Sequence, residues 1–253
     1  MVTILIATQK ETRFPRDSVY IPIQAGASLG IPLNGMLRDN TGDQISEKNR
    51  NYCELTAIYW AWKNLKSDYI GLNHYRRYFS RTFLAVDKYS RIATTMDIEQ
   101  ALKEAPVLLP RKTHYFIETN YTQYAHAHHI QDLELTREIL DRQDPDSVAI
   151  FDAVMGQTSG HRFNMFVMRK DLYEQYCSWL FPVLFELESR LDIIDYSDYD
   201  KRVFGFVAER LMDVWINRFQ ITYTELPVVF TERQNWFKKG GRFLLRKLRG
   251  SNC

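Results

Sequence analysis

Cysteine is scarce, with only Cys53, Cys177 and Cys253 in 253 residues, no CxxC pair and an odd total, so no disulfide framework is expected and a reducing compartment fits. Glycine and proline are also few, at 11 and 8, which excludes collagen-like and low-complexity sequence. No apolar run reaches the roughly 18–20 residues of a membrane-crossing helix. The longest, Trp179–Leu187, is interrupted by Pro182 and Glu186. The first apolar stretch, Val2–Ala7, is too short for a secretory h-region and lacks cations ahead of it, so it reads as a strand and the expected location is the cytoplasm. Net charge is only +2, which removes the global basic field of a nucleic-acid binder. What the chain does have is a 45% hydrophobic, 14% aromatic composition, enough for a substantial core and against intrinsic disorder.

Charge is unevenly placed. Residues 235–253 carry Lys238, Lys239, Arg242, Arg246, Lys247 and Arg249 and no acid, leaving 27 basic against 31 acidic side chains in residues 1–234, a net of −4. We therefore divide the chain into a body, residues 1–234, and a basic amphipathic tail, residues 235–253. The tail's mixture of cations, aromatics and leucines suits peripheral contact with an anionic membrane face, although Gly240-Gly241 weakens a helix there and a flexible solubilising tail is the alternative.

Along the body, strands are expected at Val2–Ala7, Val19–Gln24, Asp68–Asn73, Val107–Leu109 and Arg162–Met168, with one or two more in Gln220–Phe230. Helices are expected at Tyr52–Leu65, Thr95–Glu104, Asp132–Arg142, Val148–Met155, Lys170–Arg190 and Arg202–Asn217. Pro182 is positioned to kink the long one. This alternation predicts an α/β fold. Residues 25–50 read as a long irregular loop, which in a compact domain is usually functional, and residues 110–130 as an aromatic, His-rich connection.

Walker, GxGxxG, GxSxG and HExxH motifs are all missing. The cluster His126, His128 and His129 has no accompanying Cys or carboxylate pattern, and reads either as a metal site or as polar residues ahead of a helix. More telling is His74-Tyr75-Arg76-Arg77-Tyr78-Phe79 at the end of a central strand, where open α/β sheets place their ligands. Two guanidinium groups and an imidazole there form an array of donors for phosphate or carboxylate; the competing reading is surface ion pairs with packed tyrosines.

Four stretches, Asp39–Asn49, Tyr52–Thr56, Tyr59–Asn64 and Asp68–Phe79, together with Gly160–Met168 and Arg202–Leu211, closely resemble a bacterial family of capsular and exopolysaccharide glycosyltransferases of the DUF4422 type, long filed as a domain of unknown function. The resemblance covers nearly all of the chain except the tail. It implies a single GT-A-like α/β domain, a nucleotide-sugar donor, most simply a UDP-hexose or UDP-galactofuranose, and a polyprenyl-diphosphate-linked glycan acceptor in capsule, exopolysaccharide or O-antigen synthesis at the inner face of the plasma membrane. No nucleic acid is expected as a partner.

One departure matters. GT-A enzymes usually carry an Asp-x-Asp metal motif where this chain has His74, Arg76 and Arg77, so the expectation is metal-independent transfer with no cofactor, fixed donors neutralising the leaving diphosphate. Thr8 and Lys10 end the first strand, where the resemblance places base and ribose; an ordinary polar strand exit is the alternative. Lys48 closes the long loop, either against phosphate or in solvent. Glu54 either orients the sugar or His74, or forms a capping box with Asn51. For an inverting transfer, Glu209 on the last helix is the expected base, since Phe204, Val207, Leu211 and Trp215 form that helix's buried stripe and Glu209 lies on another face with Asp213; pairing of Glu209 with Arg202 or Arg210 is the competing reading. Asp152, Asp195 and Asp198 are reserve bases, and His161 and Arg210 are placed on the acceptor side. Two other functions compete: a sugar-phosphate transferase, which would release UMP in place of UDP, and a non-catalytic carbohydrate-binding partner of a synthase.

Overall fold

A computed structural model describes residues 1–81 and 87–232, so the tail, residues 235–253, and its membrane assignment lie outside the described residues. Strands occur at β1 (Val2–Thr8), β2 (Tyr20–Gln24), β3 (Leu37–Arg38), β4 (Tyr69–His74), β5 (Arg77–Phe79), β6 (Val107–Pro110), β7 (Thr113–His114), β8 (Ser159–Gly160), β9 (Phe166–Arg169), β10 (Thr224–Leu226) and β11 (Val228–Phe230). Helices are α1 (Asn49–Tyr52), α2 (Leu55–Asn64), α3 (Thr95–Glu104), α4 (Asn120–Ala127), α5 (Gln131–Gln143), α6 (Val148–Gly156), α7 (Lys170–Arg190) and α8 (Val203–Arg218). The expected α/β class is what the structure shows.

Among the described residues the main sheet runs β10-β6-β9-β4-β1-β2-β3, with β5 and β11 continuing from β4. β1 pairs in parallel with both β2 and β4, while β9 lies antiparallel between β4 and β6. Strands covered on both faces need apolar residues at every position, and β1 supplies them: Leu5 and Ala7 pack toward α2, α7 and α8, and Ile4 and Ile6 toward α3 on the opposite face. Gly71 sits at the crowded centre of β4. A Cβ there would meet the Phe166 carbonyl oxygen at 2.9 Å and Val167 Cγ2 at 2.9 Å, so the β4–β9 pairing depends on the missing side chain.

Three local expectations are corrected. The helix expected over Tyr52–Leu65 is two helices, broken at Cys53, whose φ of 54° no helix accommodates. Glu54 stands at the start of α2 without capping it, and Asn51 instead donates from Nδ2 to the Lys201 carbonyl at 2.8 Å, so the capping box does not form. The connection 110–130 contains a real helix, α4, which starts on the reciprocal Thr119–Thr122 cap and ends just before His128. Elsewhere the structure keeps α7 as one helix through Pro182, and α3 starts on a capping box between Thr94 and Asp97.

The long loop 25–50 owes its order to one buried carboxylate. Asp39 is fully buried and accepts from the backbone of Gly26 (2.7 Å) and Ala27 (2.9 Å) and from the hydroxyls of Ser46 (2.5 Å) and Thr56 (2.6 Å). Four donors satisfy the charge that burial would otherwise penalise. The loop is thereby fixed to the start of α2, and Asn49, Arg50 and Asn51 are held against the strand ends.

Candidate active site

The carboxyl ends of β1 and β4 open into a cleft of two adjoining cavities, about 860 Å³ and about 820 Å³, which share Cys53, Glu54, His74, Arg76 and Arg202 as a common waist. The first is walled by the β1 exit (Ala7, Thr8, Gln9), by Asn49–Asn51 and by Ile193, Ile194 and Asp198. The second is walled by Arg77, Arg111, Arg162 and Glu209 together with the rings of Phe163, Tyr199, Phe206 and Phe230. A parallel sheet places its strand ends and their loops on this side, so the chemistry collects there.

From the waist into the second cavity, cations exceed their carboxylate partners. Arg77 stacks over Phe163 at 4.5 Å and has no ion pair with a carboxylate among the described residues. Arg76 reaches Glu232 only at 4.0 Å. The buried Nε atoms of Arg76, Arg77 and Arg162 and the Nδ1 of His74 have no hydrogen-bond partner among the described residues. Orphaned buried donors are rare because each forfeits its hydration. Four of them belong to side chains that line this one cleft, which gives it an excess of donors over acceptors.

Protonation follows from this crowding. Burial, reinforced by Arg77 and Arg76, pushes the His74 imidazole down to about 3, so it is neutral. It offers one N–H and one lone pair. Burial also pushes the Glu54 carboxyl above the usual range, against the pull of its hydrogen bond from Asn164 Nδ2 at 2.9 Å. The Cys53 thiol is pushed up to about 12, first by burial and then by Glu54, while its sulfur accepts from Arg202 Nε at 3.0 Å, so it is no nucleophile at neutral pH.

The backbone is strained at the same place. Cys53 (φ 54°), Phe163 (φ 81°) and Asn164 (φ 50°) are non-glycine residues in the left-handed region, each at a cost on the order of 1–3 kcal/mol. Such conformations persist where surrounding contacts over-determine them. Asn164 shows how: its Nδ2 bridges Glu54 Oε1 and the Gly205 carbonyl at 3.1 Å, tying the start of α2 to α8 across the cleft.

The expected site residues divide by position. Thr8, Glu54, His74, Arg76, Arg77 and Glu209 all line the cleft, although the chain separates them by up to two hundred residues. Lys10 stands at the exposed rim, paired with Glu232 at 3.0 Å and lying over the Tyr75 ring at 4.7 Å. Lys48 is turned away, its ammonium between the Glu188 oxygens at 2.7 and 2.8 Å. Asp152 is on the outer surface of α6 in a bidentate pair with Arg137, both contacts at 2.7 Å. Asp195 is exposed and lines neither cavity, whereas Asp198 lines the first. His161 is buried behind the cleft, between Asp213 (2.5 Å) and Glu225 (2.9 Å), and the Asp213 expected to share an open face with Glu209 is itself buried there. Arg210 lies beneath the cavity floor against Gln123 and 3.8 Å from Glu209.

Glu209 takes its cationic neighbours from Arg162, at 3.5 Å, and Arg210, with Arg202 engaged by Cys53 instead. Sequence reasoning passed over Arg162, Arg202 and Asn164 as site residues, although all three stand inside stretches that carry the family resemblance. The histidine cluster is only partly dispersed: His126 pairs with Glu118 at 2.6 Å, His129 stacks on Tyr196 at 3.9 Å and His128 lines the second cavity, while His128 Nδ1 at 3.1 Å and His129 Nε2 at 4.0 Å both approach Asp200. Among the described residues no three His, Cys, Asp or Glu side chains come together as a metal site, and no helix is long and apolar enough to cross a membrane.

Comparison with known proteins agrees with this architecture. A search of curated proteins finds no match. Among solved structures, the apo structure titled WbbM bifunctional glycosyltransferase is similar at 30% identity with a TM-score of 0.85, covering 92% of this chain and 45% of that one, so the chain spans less than half of that protein. The family profile described as Domain of unknown function (DUF4422) matches residues 3–220, from β1 past the end of α8 and so across both walls of the cleft, and the chain belongs to that family.

Proposed function

We propose that the cleft transfers a sugar from a nucleotide-diphosphate donor to a hydroxyl of a glycan. The observation that carries this reading is the set of under-paired guanidinium groups at the β4 terminus, beside the carboxylate Glu209, in a fold shared with a glycosyltransferase. The donor's base and ribose occupy the first cavity near Thr8, and the diphosphate lies at the waist on Arg76, Arg77 and the His74 N–H. The acceptor enters the second cavity. Its hydroxyl oxygen attacks the anomeric carbon from the face opposite the diphosphate, the bond from that carbon to the phosphate oxygen breaks, and Glu209 takes the hydroxyl proton, giving inversion. Glu54, held by Asn164, orients the sugar across the waist.

The side chains at the β4 terminus do not fit the divalent ion common in GT-A folds, because the Arg76 and Arg77 guanidinium groups repel a cation and residues 74–77 offer no carboxylate. Fixed positive charge supplies the same stabilisation of the departing diphosphate without reorganisation. By the family resemblance the donor is a UDP-hexose or UDP-galactofuranose and the acceptor a polyprenyl-diphosphate-linked glycan at the inner membrane face, with the tail touching the lipid. A thermal-shift screen of UDP-, GDP-, dTDP- and CMP-sugars, each with and without EDTA, tests this. Stabilisation by a UDP-sugar that survives chelator is the expected result; indifference to every nucleotide sugar sinks the function, and strict need for Mn²⁺ or Mg²⁺ sinks the metal-free mechanism. Turnover releasing UMP would reassign the protein as a sugar-phosphate transferase.

A further inference from the structure

Within the second cavity three rings form a slab. His128 stacks on Phe206 at 4.1 Å and 24° and on Tyr199 at 5.7 Å and 19°, and all three line the cavity with Glu209. The outermost ring, Tyr199, is 55% exposed. His128 is anchored behind: its Nδ1 lies 3.1 Å from Asp200 Oδ1, and Asp200 also accepts from Ser197 Oγ at 2.6 Å. A carboxylate only accepts, so Nδ1 carries the proton and, in the neutral ring that burial favours, Nε2 presents a bare lone pair. Nε2 has no partner among the described residues and is not among the buried unpartnered atoms, so it opens on the cavity.

From this arrangement, and resting on the glycosyl-transfer reading, we infer that the His128–Phe206–Tyr199 slab is the acceptor subsite and takes a neutral hexose ring. The C–H face of the sugar lies on Tyr199, where its slightly positive hydrogens meet the negative π face. One hydroxyl donates to His128 Nε2, and this bond turns a neighbouring hydroxyl toward Glu209. The polar atom that the slab itself presents is a lone pair, which accepts from a hydroxyl, while the Arg202 guanidinium stands 5.8 Å from the Tyr199 ring and 5.5 Å from the Phe206 ring. Apolar face and single directional acceptor together fix both the plane and the rotation of the ring, the two requirements of an oriented attack.

Saturation-transfer NMR and calorimetry on the full chain test the subsite, with methyl β-D-galactopyranoside and methyl α-D-glucopyranoside as probes and UDP as the reporter of the donor side. The wild type is expected to bind UDP and at least one hexoside, with saturation concentrated on the protons of one ring face. Tyr199→Ala, at an exposed position that does not endanger the fold, weakens the hexoside at least fivefold and leaves UDP affinity within twofold; Tyr199→Trp restores it. His128→Phe keeps the slab but loses the lone pair, and weakens the hexoside likewise. Unchanged hexoside affinity in Tyr199→Ala, or UDP binding with no hexoside bound, overturns the subsite and leaves the donor reading standing. Failure of both UDP and the hexosides overturns the glycosyl-transfer reading together with it.

Discussion

Arginines on the outer surface and arginines in the cleft are the same side chain put to different use. Outside, Arg137 grips Asp152 with two contacts of 2.7 Å, and Arg169 grips Asp171 at 2.7 and 2.8 Å. Inside, the nearest carboxylate oxygen is 3.5 Å from Arg162, 3.8 Å from Arg210 and 4.0 Å from Arg76, and Arg77 has none among the described residues. The outer pairs are satisfied within the protein and are screened by water; Arg210 and Arg162 give donors to Gln123 and Tyr115, and Arg76 and Arg77 are left the least paired. Pairing quality, more than the number of cations, separates a structural arginine from a functional one.

That contrast can be broken at four points. Glu209→Gln removes the proposed base while keeping shape, and should lower turnover by about 10²–10⁴-fold with UDP affinity retained; a folded variant with near-normal turnover would take Glu209 out of the mechanism. Arg77→Ala should cost about 10²–10³-fold in turnover, the loss seen when one preorganised donor to a developing charge is deleted, with little change in melting midpoint. Equal damage to stability and activity would instead make Arg77 a structural residue.

Proton linkage gives the third point. His74 has its folded-state value depressed to about 3, so the unfolded chain binds the extra proton between roughly 6.5 and 3. The stability tied to the neutral imidazole is present above about 6.5 and is lost as pH falls through that window. His74→Gln should flatten the fall in melting midpoint between pH 7 and pH 4, measured by scanning fluorimetry; an unchanged slope would contradict the buried neutral ring. The smallest effect is expected outside: Asp152→Asn should move the midpoint by no more than about two degrees and leave turnover alone, because exposed pairs contribute little. A large loss there would erase the distinction between the two sets of arginines.

Much of the fold was legible. The near-continuous apolar β1, the helix Lys170–Arg190 and the buried stripe of α8 announce themselves by periodicity, and that signal is local. The break at Cys53 was not legible, because its φ is held by contacts with Arg202 and the neighbouring helices that arrive from far along the chain. Lys48 and Glu188 meet across 140 residues, and no pattern around either residue announces the other. The donor array of residues 74–77 was visible as a motif. Asn164 bracing Glu54, and His128 lining the second cavity, were not.

By itself, then, the sequence determined the α/β class, the family and the strand end that carries the cluster His74, Arg76 and Arg77, since each depends on residue type at short spacing. Tertiary structure decided which ionisable groups were left under-paired. Lys48, Asp152 and His161 found carboxylate or guanidinium partners once the chain packed, whereas Arg76, Arg77 and the lone pair of His128 were left facing the cleft. Whether a charge is satisfied depends on distances of a few ångströms between residues remote in the chain, and only folding sets those distances.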